Sequence, residues 1–182
     1  TPSYSLTNSG KEEKAFNFGL HYHLKNFDIK LYYNYVDLDL ALLRSSIFHS
    51  GNSISKALSS DVPLFIRPFS YDINEPNQVV KHHLAKASIN WWYKENEKVS
   101  LIIGRQLNKR KEFDVRRNAE KPIINLDLIS TDLMLEWDHS FSENVEGLMG
   151  LHFFNQDNDN NPGTGTTPFI PNYNTNRYSF YL

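Results

Sequence analysis

The stretch FNFGLHYHLKNFDIKLYYNY (Phe16–Tyr35) decides the fold class. Its first half alternates strictly. Phe16, Phe18, Leu20, Tyr22 and Leu24 fall on one side, and Asn17, Gly19, His21 and His23 on the other. Side chains of an extended chain point to opposite faces in turn, so this period of two predicts a β-strand with one apolar face. After only Lys25 and Asn26 the pattern restarts, with Phe27, Ile29, Leu31, Tyr33 and Tyr35 against Asp28, Lys30, Tyr32 and Asn34. Two alternating runs around a short polar turn predict a β-hairpin.

Outward from this hairpin, the stretch from about 42 to 78 is rich in Ser, Asn, Gly and Pro and reads as a long connection, with a short helix near Ser53 to Leu58. From about 79 the alternation returns. Ala85, Ala87, Ile89, Trp91 and Tyr93 oppose Leu84, Lys86, Ser88, Asn90 and Trp92. The turn KENEK leads into a strand with Val99, Leu101, Ile103 and Leu107 on one side, expected to end near Asn108. The charged segment after it reads as a loop. Beyond Pro122 a further strand sets Thr131, Leu133, Leu135 and Trp137 against Asp132, Met134, Glu136 and Asp138. A short turn at SENVE gives the next, with Met149, Leu151 and Phe153. The Asn-rich stretch from 155 to 174 reads as a solvated loop before the last strand, RYSFYL.

About seven strands result, and their connections alternate short and long. Short turns at one rim and long loops at the other are the pattern of an up-and-down antiparallel outer-membrane barrel. Strands of about 10–15 residues exceed the usual 5 or 6 of soluble sheets and suit a tilted membrane crossing. His, Lys, Asp and Glu on the second face suit a watery lumen and would be costly in a dry core. Phe27, Trp91, Trp92, Tyr93, Trp137 and Phe141 gather beside the short turns, where an interfacial girdle belongs. A soluble β-sandwich or ligand-binding β domain also alternates and stays open at this point, as does a passive porin-like or adhesin barrel. An odd strand count with two open ends marks the 182 residues as part of a larger barrel.

Composition agrees. Aromatic residues make up 14% of the chain, yet the mean hydropathy is −0.53. The net charge of −2 does not suit nucleic-acid binding, which asks for a basic face. Cys is absent, which excludes a disulfide scaffold and thiolate metal sites. No run approaches the roughly 20 apolar residues of a membrane-spanning helix. The chain opens without Met and without a signal peptide, as expected of a processed chain or a piece of a longer one.

The connecting segments add a resemblance. LRSSIFHSGNSIS (43–55), YDINEPNQVVKHHLAK (71–86), QLNKRKEFDVRR (106–117) and PGTGTTPFIPNY (162–173) together resemble the barrel of TonB-dependent outer-membrane receptors of the Bacteroidetes type. The likeness runs through nearly the whole chain in order. It implies a 22-stranded transmembrane β-barrel in the outer membrane of a Gram-negative bacterium, with residues 1–182 as part of that single barrel domain. A plug domain and a TonB-contacting segment would then lie outside these residues. The activity implied is active import of a scarce nutrient such as a ferric siderophore, haem, cobalamin or an oligosaccharide. The partners implied are the TonB complex, outer-membrane lipid with lipopolysaccharide, and the nutrient itself. Arg105 departs from the family pattern, because it falls on the outward face where an apolar or aromatic residue is usual. It is expected to snorkel to the headgroups or lipopolysaccharide phosphates, or to mark the upper edge of the apolar band.

Candidate ligand contacts sit in the segments that the barrel reading places outside the cell: His49 in the first long connection, and Arg110, Asp114, Arg116 and Arg117 in the charged one. The guanidinium forks suit carboxylates and phosphates, but they equally suit Glu112 and Asp114 within the segment itself. His21 and His23, two apart on one strand face, have the spacing to share a metal, but no third ligand is placed by sequence, and lumen hydrogen bonding is the expected role. Asp157 and Asp159 lack the glycine and the bidentate glutamate of a calcium loop. GTG has no following Lys-Ser or Lys-Thr to cradle phosphate. No Ser, His and Asp set stands at a recognisable spacing, so the sequence makes no case for an enzyme or for a cofactor.

Overall fold

The computed structural model describes residues 5–44, 51–115 and 120–182, with side chains left undescribed at 51–53. Seven strands form one antiparallel sheet: β2 (Lys11–Leu24), β3 (Phe27–Ala41), β5 (Asn77–Lys94), β6 (Glu97–Phe113), β7 (Ile124–Ser142), β8 (Val145–Asn160) and β9 (Tyr173–Tyr181). Each pairs with the next in sequence, so the sheet is an up-and-down meander with β2 and β9 at its two edges. The expected all-β class and the strand count both hold. Two short strands, β1 (Ser5–Leu6) and β4 (Ile66–Arg67), form a separate ribbon in the first long connection. The helix α1 (Gly51–Leu58) lies where the short helix was expected.

Register carries the alternation across the whole sheet. Residues directly opposite one another share a face. The row Tyr22–Ile29–Ile89–Leu101–Leu135–Leu151–Phe180 is apolar or aromatic at all seven strands, and so is the row Leu20–Leu31–Ala87–Ile103–Leu133–Phe153–Tyr178. We call this side the first face. On the second face the neighbouring row reads His21–Lys30–Ser88–Ile102–Met134–His152–Ser179.

Among the described residues no second layer covers either face. Among the described residues, buried apolar side chains reduce to Ala41, Leu126 and Pro76. The accessible surface is 12623 Å², against about 9,100 Å² for a compact chain of this mass.

Two sequence expectations need correcting. β6 does not end near Asn108 but stays paired through Phe113, so Lys109, Arg110, Lys111 and Glu112 are strand residues rather than a loop. β8 likewise runs through Asn160, taking up the first six residues of the segment expected to be solvated loop. The physical reason is an exchange of faces. Towards the long connections the first face turns charged, with Asp37, Lys81, Lys109, Asp127 and Asp159 in one row. There the second face turns apolar, with Leu38, Val80 and Leu126. Strand pairing continues while the polarity inverts.

The short turns are staggered. Phe27, Trp91, Val99, Trp137 and Met149 share a row. From that row the turn residue Asn26 lies one position before Phe27, Asn96 three before Val99 and Asn144 five before Met149.

Candidate functional site

The first face is the largest chemical feature of the molecule. Leu20, Leu31, Ile103, Leu133, Leu135, Leu151, Tyr178 and Phe180 are exposed on it. At the short-turn end it is bordered by rings in contact: Phe27 stacks on Trp91 at 6.1 Å, Trp91 meets Tyr93 at 5.8 Å, and Trp137 meets Phe141 at 6.4 Å. Trp137 Nε1 donates to the Tyr93 hydroxyl at 2.6 Å. Such rings hold an apolar body against one medium and a polar tip towards another.

Beyond that belt, beside the Glu95–Asn96 turn, Glu97 is buried and holds Lys94 at 3.1 Å and His139 Nδ1 at 2.7 Å. The Tyr93 hydroxyl and then these two partners hold its carboxyl down to about 2.

The second face carries a net of hydrogen bonds. Asp28 is buried and accepts from His21, with Lys30 at 3.2 Å and His23 at 3.6 Å. Register places Asp28 opposite His23, a carboxylate that sequence reading left unassigned. No group of His, Cys, Asp and Glu among the described residues is arranged to hold a metal. His82 meets Asn108 at 3.3 Å and His152 meets Asp132 at 3.0 Å. Tyr181 lies over Gly150 and donates to Glu136 at 2.8 Å, filling the space where a Cβ would stand.

At the long-connection end Arg110 lies on the second face beside Leu126. It is ion-paired with Glu112, and the Gln78 amide oxygen, turned towards it, accepts from its Nε at 2.7 Å. The guanidinium is therefore already engaged within the sheet. Asp114 is buried just past β6. His49, Arg116 and Arg117 lie outside the described residues.

Two asparagines to which the sequence assigns no such role organise the long connections. Asn8 donates to the Leu42 and Pro76 carbonyls, both at 2.8 Å, and accepts from Asn74 N at 2.9 Å, clamping the two ends of the first connection. Asn158, on the second face, donates to the Pro171 carbonyl at 3.1 Å and ties the last connection to β8. That connection folds against Ile123, Ile124 and Leu126, leaving a small apolar pocket lined also by Pro168, Phe169 and Ile170.

No family model, curated protein or solved structure matches this chain.

Proposed function

We propose that this chain is part of the wall of a TonB-dependent outer-membrane receptor that imports a scarce nutrient, with the first face against lipid and the second towards the lumen. The observation that carries the membrane half of this reading is the bare first face. Fourteen positions in two complete rows of seven are apolar or aromatic on a sheet over which the described residues place no second layer. Fully hydrating such side chains forgoes about 1.5–3 kcal/mol each. Even half-exposed, fourteen of them cost on the order of 10–20 kcal/mol, as much as the whole net stability of an ordinary domain. Lipid removes that cost.

Strand length agrees with this reading, since β5 to β8 run 16–19 residues, enough to cross a bilayer at a tilt and extend beyond it. The aromatic belt at the short-turn end and the charged row at the other give the band two margins. The second face, with His21, Lys30, Asp132, Glu136 and His152 over its middle beside the apolar Ile102 and Met134, suits a water-filled or plugged interior. The TonB-driven import itself rests on the resemblance of the connecting segments, as does the placing of the long connections outside the cell. On that reading the protein catalyses no covalent chemistry and resides in the bacterial outer membrane.

The test uses the full-length protein in vesicles, reduced to one tryptophan at a time. Brominated phospholipid should quench Trp91 and Trp137, on the first face, and spare Trp92, on the second. Equal quenching of all three, or a protein that stays dispersed without detergent, overturns the membrane reading. Import that persists after the proton gradient is collapsed overturns the TonB reading and favours a passive pore.

A further inference from the structure

The first face changes character over β5 and β6 at a definite place. Up to Ala87 and Ile103 it is apolar; one step further on β6 stands Arg105, whose guanidinium donates to Thr131 Oγ1. Four residues beyond Arg105 comes Lys109, directly opposite Lys81, and two further comes Lys111, opposite Val79. Four cations thus share one face of one strand pair, starting where the apolar band stops. All four are exposed.

The Lys81–Lys109 pairing is the unusual part. Like charges directly opposite one another across an antiparallel pair repel. Here both ammonium groups turn away from each other towards the outer strands, Lys81 to Asp37 at 3.4 Å and Lys109 to Asp127 at 3.0 Å. About half of each lysine side chain stays open, 52% and 53%. Lys111 has no ion pair among the described residues. Between the two divergent lysines, and below Lys111, the face presents positive charge with no carboxylate on either of the two strands' own first-face positions from 79 to 85 and from 105 to 111. The acids nearest them lie on the flanking strands: Asp37 and Asp39 on β3 and Asp127 on β7.

We infer that Lys81, Lys109, Lys111 and Arg105 form a phosphate-binding strip for the headgroups of lipid packed against the first face. The inference rests on the membrane reading above and adds to it a specific partner and the residues that hold it. A lipid whose chains lie along Ile89, Leu101 and Ile103 carries its phosphate upward along the strands, to the level of this strip. Arg105, at the margin, offers a planar fork; the lysines above it offer mobile point charges. A phosphate between Lys81 and Lys109 converts their mutual repulsion into a shared attraction and leaves Asp37 and Asp127 to hold the outer flanks. Charge complementarity selects an anionic headgroup over a zwitterionic or uncharged one.

The test compares lipid A with the same glycolipid stripped of its phosphates, added to the full-length protein in uncharged detergent at about 0.1 M salt. Wild-type protein should bind lipid A with an affinity that falls as salt rises, and should bind the phosphate-free form much more weakly. The double variant K81Q/K109Q should lose at least about tenfold in lipid A affinity and most of the salt dependence. K81R/K109R, which keeps the charges, should retain binding, and Lys86→Gln, on the second face, should change nothing. Unchanged lipid A binding by K81Q/K109Q, or equal binding of the phosphate-free lipid, overturns the inference. If Trp91 and Trp137 are still quenched by brominated lipid in that case, the membrane reading survives without the strip. If they are not, that reading has failed and the strip falls with it.

Discussion

Replacing Leu135 with arginine puts a charge at the middle of the first face. Leu135 sits between Leu101 and Leu151 in the continuous apolar row and is 42% exposed. If that row lies against hydrocarbon, Leu135→Arg should destabilise the protein by about 2–4 kcal/mol, the cost of a guanidinium near the midplane of a barrel's lipid face. Ile129 is six residues further along the same face of β7. At about 3.3 Å per residue that is about 20 Å along the strand, or about 15 Å in height for a strand inclined about 40°. Ile129→Arg should therefore cost only about 0–1 kcal/mol. Met134 is next to Leu135 but on the second face. Met134→Arg should cost about 1 kcal/mol or less, because its head reaches the lumen. Reversible denaturant unfolding of the full-length protein in lipid vesicles reads all three. A face packed against another protein layer would penalise arginine at both 135 and 129, and a face in water would penalise neither. Equal costs at 135 and 129 refute the lipid assignment.

Gly150→Val should force the Tyr181 ring off the second face and break its 2.8 Å bond to Glu136, at a cost of about 1–3 kcal/mol. In a Tyr181→Ala background the same change should cost less than about 1 kcal/mol, and additive costs would show that the ring is not the obstacle. Asn158→Ala, at a site only 2% exposed, should leave the Pro171 carbonyl without its donor, costing about 1–3 kcal/mol. It should also open residues 161–172 to limited proteolysis, and an unchanged cleavage rate would mean that the connection is held by other contacts. Glu97 predicts a pH effect: with its carboxyl lowered from 4.5 to about 2, the stabilisation is present above pH 4.5 and lost as pH falls towards 2. Glu97→Gln should remove that part of the acid sensitivity, and identical acid profiles for the two proteins would rule it out.

Most of the sheet is legible in the sequence because side-chain period and turn chemistry point the same way. Phe16 to Tyr35 alternates in phase on both sides of Lys25–Asn26, and the register simply joins the two apolar sets. A single apolar face ends where the alternation changes phase. Asp37-Leu38-Asp39-Leu40 keeps a period of two, but its leucines sit on the second face; Ile124, Leu126 and Leu128 do the same on β7. A reading that follows one apolar face stops at such a point, although the strand does not. That is why Lys109 to Glu112 passed for a loop, although the pairing of Arg110 with Glu112 was legible within the segment itself. The Asp28 cluster was hidden for another reason: the two-residue turn sets Asp28 opposite His23, but alternation does not say that His21, diagonal to it, closes on the same carboxylate. The clamps by Asn8 and Asn158 join residues far apart in sequence, and single asparagines in polar segments give no signal of that.

The stagger of the three turns has a geometric consequence. A slip of two residues for every two strands, as from Asn26 to Asn96 to Asn144, is one residue of shear per strand. With about 3.3 Å along a strand and about 4.8 Å between strands, turns lying at one level then require a tilt of about 35°. Hydrogen-bonded rows consequently climb like the thread of a screw. Each neighbour stands about 3 Å higher than the last, and Phe180 ends about 17 Å above Tyr22 although the two belong to one row. This is the sense in which the apolar margin moves: β2 stays apolar up to Phe16, while β9 turns polar at Asn176, two rows nearer the short turns. Depth in the membrane is then read obliquely across the register, and two residues that share a hydrogen-bonded row need not share a solvent.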